Sequence, residues 1–564
     1  MDIKTVIFNL VIIVSIEAFR ILAVFPTPSI SHQVVFRPLV QELVTRGHEV
    51  VVITTDPMYP TGGGPENLTE IDVGDTYELL KDVGETRLTV VNEYVNIRTS
   101  IETAIPMLSN VFYEQLKNDA VKRIIEDKNV TFDLLIIEAW LRPVLAFTHR
   151  FKVPVIRFGS TGSVLSEYEV MGSVKHPLYY PSNLCSRCAN IENLTFLEKL
   201  YEIYNDIYIS NVFNGAVKHE NEVMRSFFGA DMPSLDDLSD NVDLLISNVH
   251  RNWEFNRPMP ISVVQVGGIH LKSECTLPED LQKYLDSSIN GVVYISFGTN
   301  VVISALSNDK LEAMISVLSQ LPYDVLWKWD KDEMPGRPKN IKISKWLPQE
   351  CLLRHPKIKL FLTQGGLQST EEAIAAGVPL VGMPIMADQF GNTQNYVRHK
   401  IGVKLLFDDL TEENFRNALY TVLNDESYRQ NVERLRTLIE LDGGRTAARA
   451  ARWVEHVVRH GGSHLRAPAA RLHAAVYHQL HLLAELAAAV ILAAFVLYQA
   501  TKFLVRFVWR IFTMKVIIHR QSHRIEDAVH RDPGSTGSKA HFLKGAPTPC
   551  PTFLGDGRSP CVYR

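Results

Sequence analysis

Apolar runs of strand length alternate with helical patterns along most of this chain. Ile21–Phe25 and Glu49–Thr54 are two such runs. Between them, Gln33–Thr45 carries apolar residues at Val34, Val35, Leu39, Val40 and Leu43, the spacing of one helix face. Arg46-Gly47-His48 ends that helix. Asp133–Ile137 and Val153–Phe158 repeat the strand pattern around a helix through Ala146–Phe151, and Val242–Asn248 and Val263–Val266 continue it. Ser160–Phe228 is longer and rich in aromatic residues, and could be an acceptor wall or ordinary core. A second series opens with Gly291–Phe297, then a helix over Leu311–Leu321 and strands over Val325–Trp329 and Ile341–Ser344. Helices over Thr411–Leu441 and Arg445–His460 close it. Between the series, Ile269–Asp286 carries Pro278 and mixed charges and reads as a linker. The pattern predicts two α/β domains, residues 19–268 and 287–473, joined by residues 269–286.

The two ends of the chain break this alternation. Val6–Ile16 is apolar, follows Lys4 and precedes Glu17-Ala18, so residues 1–18 read as a signal peptide, with a first buried strand as the alternative. Leu482–Leu504 is apolar all round and reads as a transmembrane helix, with an amphipathic surface helix as the alternative. Lys502, Arg506, Arg510, Lys515 and Arg520 place its C-terminal side in the cytosol. Residues 505–564 are then a cytosolic tail, polar and Gly/Pro/Ser-rich after Gln521 and expected to be largely disordered. The sequons at Asn67, Asn129 and Asn193 agree with a luminal fate for the domains before the anchor. Six cysteines are too few for a disulfide framework in 564 residues. Cys185 and Cys188 are expected to form a local bridge or to remain thiols. A net charge of −5 with no basic cluster excludes nucleic acid as a partner.

The stretch Trp346–Gln389 carries the chemistry. It reads as loop, helix, strand, Gly-Gly turn, helix, strand and Asp-Gln. Ser369 and Glu372 have capping-box spacing, which predicts a helix start there, and Gly377 and Pro379 predict its end. Gly365 and Gly366 then lie where a strand hands over to a helix N-terminus. Free N–H groups and the helix dipole favour an anion at such a turn, and glycine lets a phosphate approach. Asp388-Gln389 follows the next strand and falls on the same carboxyl edge, where open α/β sheets bind ligands.

These residues resemble the signature of the UDP-glycosyltransferases, in which an aromatic-hydrophobic-Thr-His/Gln-Gly-Gly run is followed by Glu, spaced Pro and Asp/Glu-Gln. Here it stands as Phe361-Leu362-Thr363-Gln364-Gly365-Gly366, Glu372, Pro379, Pro384 and Asp388-Gln389. Most of the chain up to the membrane segment also resembles this family, in wording most like its insect members. The resemblance implies the GT-B architecture, two Rossmann-like α/β domains with a cleft between them. It implies transfer of a hexose, glucose by preference, from a UDP-sugar to a small lipophilic alcohol, phenol or steroid, for detoxification or metabolite conjugation. Glucuronic acid is the alternative donor, and a non-catalytic sugar-nucleotide-binding subunit the alternative class. A type I protein of the endoplasmic reticulum membrane is implied, with luminal domains; homo-oligomerisation is compatible with the sequence.

Transfer to a hydroxyl needs a base, an acceptor held in line with C1, and stabilisation of the departing UDP. His32 is the expected base. It follows the first strand at the ligand edge, imidazoles titrate near neutrality, and the family's catalytic histidine occupies this Ser-His site. Glu138, ending the strand that begins at Asp133, is the expected orienting carboxylate; several relatives have Asp there, and Asp133 is the runner-up. His48 reads as structural. For the donor, Trp346 offers a ring for uracil and Gln349 polar contacts to the nucleotide. Ser296, Gln364, Gly366, Gln368 and Ser369 are expected near the diphosphate, Glu372 at the ribose, and Asp388 and Gln389 at the sugar hydroxyls. Gln364 replaces the histidine of many relatives and brings no charge. No metal or cofactor is implied; Asp330-Lys331-Asp332 reads as a solvated loop. With one base and no second nucleophilic carboxylate, the transfer is expected to invert.

Overall fold

The computed structural model describes residues 17–80, 97–163, 167–174, 176–181, 184, 194–299, 301–440, 446–470, 472 and 474–529. The expected signal segment up to residue 16, Asn193, Cys185, Cys188 and the tail beyond 529 lie outside them.

Two wholly parallel sheets organise residues up to 472. The first contains β1 (Arg20–Phe25), β2 (Glu49–Thr54), β3 (Leu68–Asp72), β4 (Leu134–Glu138), β5 (Val155–Gly159), β6 (Val242–Ser247) and β7 (Val263–Gln265), in the order β3-β2-β1-β4-β5-β6-β7. The second contains β8 (Val292–Ser296), β9 (Asp324–Lys328), β10 (Ile341–Ser344), β11 (Ile358–Thr363), β12 (Leu380–Gly382) and β13 (Gly402–Lys404), in the order β10-β9-β8-β11-β12-β13. Chain order reverses between β1 and β4 in one sheet and between β8 and β11 in the other. Helices leave to opposite faces at such a point, and the crevice that opens at the carboxyl ends of the strands is where ligands bind. Strands buried on both faces explain the continuous apolar runs, as in Ile21–Phe25 and Leu134–Ile137. The edge strand β3, sequence LTEID, is half-polar and half-buried, so periodicity did not reveal it.

The helices that bear on the site are α1 (Ile30–Thr45), α2 (Phe196–Phe228), α3 (Glu279–Ser287), α4 (Gln349–Leu353), α5 (Leu367–Ala376), α6 (Gln389–His399) and α7 (Thr446–His460). Two expectations need correction here. The capping box is absent at Ser369 and Glu372: α5 starts earlier, with Gly366 as its N-cap and no side-chain cap, because the Gly-Gly turn already sets the backbone direction. A capping box does start α2, at Thr195 and Glu198. The second half of the expected linker is helix α3, whose Leu281 and Leu285 are buried in a core cluster with β8 and β11. That cluster also takes in Val249 and Trp253 of the first domain, so the two domains share an apolar seam. A disulfide joins Cys275 of the linker to Cys351 of α4.

After the second domain, α7 packs back on the first. Ala450, Ala451, Val454 and Val457 are fully buried in one cluster with Phe36, Leu39 and Val40 of α1. Glu455 accepts from Arg46 Nη1 at 3.1 Å and lies 3.3 Å from His48 Nε2, which gives His48 a structural place. Asn67, a sequon residue, donates its amide to the carbonyls of Val44 and His48 at 2.9 and 2.8 Å.

The described residues 474–529 belong to a unit separate from the two α/β domains. Its main element is α8 (Leu480–Val529), in which Leu480–Asp527 is long and apolar enough to cross a membrane. The helix continues well past Leu504, and residues 505–529 are not a disordered tail. Val, Ile, Phe and Trp between the basic residues keep helix-compatible sequence going, and no glycine or proline interrupts it.

Candidate active site

β1 runs into the short Pro26-Thr27-Pro28 loop, and α1 begins at Ile30, which sets His32 in the first turn of the helix. The neighbouring strand β4 ends on Glu138, fully buried. His32 Nδ1 lies 3.0 Å from Glu138 Oε1. The carboxylate is fixed by two further donors: Trp140 Nε1 to Oε1 at 2.9 Å and the Thr27 amide to Oε2 at 3.1 Å. Ser160 Oγ also lies 3.0 Å from His32 Nδ1. A proton on Nδ1, shared toward a buried carboxylate, leaves the Nε2 lone pair available to a hydroxyl. The imidazole side chain is 25% exposed, so it is held from below yet reachable. Asp133, at the other end of β4, accepts from the Arg20 amide at 2.8 Å and has no part in this group.

The second sheet supplies a turn suited to an anion. Gly365 has φ +89°, and a Cβ there would lie 2.5 Å from Thr393 Cγ2, so only glycine fits. Gly366 is extended and hands over directly to α5, whose first N–H groups are free of intrahelical partners. Gln364 packs against Gly298, the residue two beyond Ser296; a Cβ at Gly298 would meet its Nε2. Ser296 is buried and accepts from the Gly298 amide at 3.4 Å, closing its own turn. Trp346 is 62% exposed, and Lys328 Nζ lies 4.8 Å from the centre of its ring.

Gln349 is placed as an organiser. Its Oε1 accepts from Tyr294 at 3.0 Å, and its Nε2 donates to Ser369 Oγ at 2.8 Å and to Glu372 Oε2 at 2.7 Å. This bridge occupies the two side chains that the sequence assigned to a capping box. Burial pushes the Glu372 carboxyl up to about 7, against the hydrogen bond from Gln349. Gln389 is buried, and its Oε1 accepts from the amides of Ile385 and Met386, both at 2.9 Å, which fixes the loop carrying Asp388. In that loop Ala387 has φ +50°, an uncommon conformation for a residue with a Cβ. Asp388 accepts from Asn392 Nδ2 at 2.9 Å. Burial raises its carboxyl above the usual range, opposed by Asn392 and by the charge of His32 across the cleft.

The two halves meet around Ser160. Its carbonyl accepts from Gln368 Nε2 of α5 at 3.0 Å and from Asn248 Nδ2 at 3.2 Å. Thr161 Oγ1 reaches Asp388 Oδ2 at 3.5 Å. Glu371 of α5 accepts from Asn248 Nδ2 at 3.1 Å and from the Gly268 amide at 2.9 Å. The structure thus brings His32, Glu138, Gln368 and Asp388 together where the two domains meet, and joins Ser369, Glu372 and Gln349 in one hydrogen-bonded group. Sequence reasoning missed Ser160, Asn248 and Glu371, since nothing local marks a residue whose partners lie in another domain. It also passed over Lys328, which ends the apolar strand β9; a lone cation closing such a strand was the available sign.

Beside Glu371 lies the linker residue His270, buried, with Nδ1 3.6 Å from Glu371 Oε2. Burial pushes Glu371 up to about 8 and pulls His270 down to about 4. A carboxyl raised on folding binds its proton more tightly folded than unfolded, so stability is lost as pH rises from the unfolded value toward 8. Glu371→Gln removes that proton-linked loss. The thermal midpoint of the parent should therefore fall more than that of the variant as pH rises through the window from 4.5, the ordinary carboxyl value, to about 8. Parallel midpoints across that window would show that Glu371 is ionised at neutral pH.

The match of this chain to known proteins agrees with that geometry. The family model described as UDP-glucoronosyl and UDP-glucosyl transferase matches residues 21–515. An ecdysteroid UDP-glucosyltransferase of Lymantria dispar multicapsid nuclear polyhedrosis virus is 35% identical over 477 residues, covering 83% of this chain and 93% of the relative. A UDP-glycosyltransferase of Dactylopius coccus is 30% identical over 513 residues, covering 87% and 93%. Among solved structures, the UDP-glucose: anthocyanidin 3-O-glucosyltransferase in complex with UDP superposes with a TM-score of 0.54 at 17% identity. It covers 78% of this chain and 98% of its own, a likeness of GT-B fold.

Proposed function

The chain belongs to the UDP-glucoronosyl and UDP-glucosyl transferase family, and from that premise we propose that it moves glucose from UDP-glucose, with inversion, onto a hydroxyl of a small lipophilic acceptor. That it is a UDP-glycosyltransferase follows from the family. The finer reading rests above all on one observation: His32, backed by Glu138 at 3.0 Å, faces the cleft that Asp388 enters from the other domain. In this reading the acceptor hydroxyl gives its proton to His32 Nε2 as its oxygen attacks C1 of the sugar. Glu138 stabilises the resulting imidazolium. The C1–O bond to UDP breaks on the opposite face, and the first N–H groups of α5 receive the charge that develops on the diphosphate. Trp346 carries the uracil, Glu372 the ribose, and Asp388 the sugar hydroxyls.

Glucose is favoured over glucuronic acid because a second carboxylate would lie beside the buried Asp388. Steroids are favoured as acceptors because the viral relatives are named for ecdysteroids. In this reading α8, long and apolar enough to cross a membrane, is the anchor, the basic residues from Lys502 onward face the cytosol, and the α/β domains are luminal in the endoplasmic reticulum. The test is a transfer assay on membranes carrying the full chain, with UDP-glucose or UDP-glucuronate against ecdysteroids, phenols and fatty alcohols. Glucosides of a steroid or phenol are the expected products; glucuronides in excess of glucosides would reverse the donor assignment.

A further inference from the structure

A buried arginine of the first domain lacks an acceptor. Arg157 stands in the middle of β5, with Ile137 of β4 and Leu245 of β6 as its register partners. Its side chain leaves the sheet on the face of Val155, opposite Phe158. It is 7% exposed, its Nε has no hydrogen-bond partner, and among the described residues no carboxylate pairs with it. Arg142, also buried, is by contrast held by Glu220 and by the Phe213 carbonyl, both at 2.6 Å. Burial pulls the Arg157 guanidinium down from the usual arginine range; Glu167 works the other way through space, and Arg142 adds to the fall. A guanidinium without an acceptor is costly to bury, and an arriving oxygen lone pair offsets that cost.

A pocket opens one step further along the same face. Gly159, two residues after Arg157, lines it, as do Leu245, Trp140, Ser160 and Glu167. Glycine at 159 leaves that side of the pocket without a side chain. Ser160 and Trp140 also flank the base: Ser160 Oγ is 3.0 Å from His32 Nδ1, and the two ring centres lie 6.1 Å apart. The pocket therefore runs from His32 toward the buried cation. Three residues of extended chain, about 10 Å, separate Arg157 from Ser160, a gap that an arginine side chain and one substituted ring fill together. We propose that Arg157 binds a carbonyl oxygen of the acceptor, at the end remote from the attacked hydroxyl, and so selects hydroxy-ketones and hydroxy-esters. This rests on the assignment of His32 as the base at that hydroxyl. A carboxylate suits the pocket less well, because Glu167, which accepts from Ser163 Oγ at 2.8 Å, would face it as a like charge.

Three phenols of one shape separate the chemistries: para-hydroxyphenylacetone, para-hydroxyphenylacetate and para-isobutylphenol, which end in a ketone, a carboxylate and an isopropyl group. Glucosyl transfer from UDP-glucose to each, by membranes carrying the full chain, gives kcat/KM. The ketone should exceed the isobutyl compound about ten- to a hundredfold, the worth of a hydrogen bond to a charged group, and should exceed the carboxylate too. Arg157→Met should bring the ketone and the isobutyl compound within about twofold of each other by lowering the ketone alone. Arg157→Lys, which keeps a charged donor, should retain part of the preference. A ketone no better than the isobutyl compound in the parent would overturn the inference, and that comparison needs no variant to fold. A carboxylate better than the ketone, or a preference unchanged in Arg157→Met, would overturn it as well. para-Cresol, which has the hydroxyl but no oxygen to offer Arg157, tells this failure from failure of the base assignment. If cresol transfer is lost in His32→Ala while the parent shows no ketone preference, only Arg157 is misassigned. If cresol transfer survives in His32→Ala, the acceptor hydroxyl lies elsewhere and both readings fail. A parent that glucosylates none of these phenols overturns both as well.

Discussion

Replacing His32 by alanine is expected to cut glucosyl transfer by about 10²–10⁴-fold, the contribution of a positioned base, while UDP binds as before. The two effects separate because the imidazole belongs to the first domain, on α1, and the groups assigned to UDP belong to the second. Its partners define a companion change. Glu138 is fully buried and holds three hydrogen-bonding neighbours, His32, Trp140 and the Thr27 amide. Glu138→Gln keeps the shape but not the charge that stabilises the imidazolium, so turnover should fall while UDP affinity and the fold are retained. Single-turnover rates and UDP titration on the same samples check both. Turnover within a few-fold of the parent in His32→Ala would remove this imidazole from the chemistry.

Trp346→Ala should weaken UDP and every UDP-sugar alike, by about ten- to a hundredfold, since stacking of a base on an aromatic ring is worth about 1–3 kcal/mol. The ring is exposed, so its loss leaves the core intact. Competition of UDP-glucose, UDP-galactose and UDP-glucuronate against labelled UDP measures it. A variant that changed sugar preference without changing UDP affinity would place the ring at the hexose, and the assignment of base and sugar along the cleft would be reversed.

How far the sequence anticipated this arrangement depends on how far apart the interacting residues are. Ile21–Phe25, the helix after it and Glu138 at the end of its strand were legible, because periodicity marks the elements and a parallel sheet collects its strand ends on one edge. The Gly-Gly turn was legible for the same reason. The start of α5 was misjudged from Ser369 and Glu372, whose spacing suits a cap equally well when both side chains serve Gln349 instead. Strand β3 escaped because an edge strand need not be apolar. The Cys275–Cys351 bridge spans 76 residues, and the contacts of Ser160 with Gln368 and of Asn248 with Glu371 span 208 and 123. Such pairs are made by the packing of one domain on another, which no local pattern encodes. The continuation of α8 past Leu504 was missed because its basic residues were read as the start of a cytosolic tail rather than as one part of the helix surface.

The configuration at the anomeric carbon tests the central claim most directly. One base and one displacement convert the α-linked sugar of UDP-glucose into a β-glucoside. Proton magnetic resonance of the product made by the full chain, on whichever acceptor the transfer assay identifies, should show the large axial–axial anomeric coupling of a β-glucoside. The small coupling of an α-glucoside would mean retention, and a single displacement driven by His32 and Glu138 could not be the mechanism.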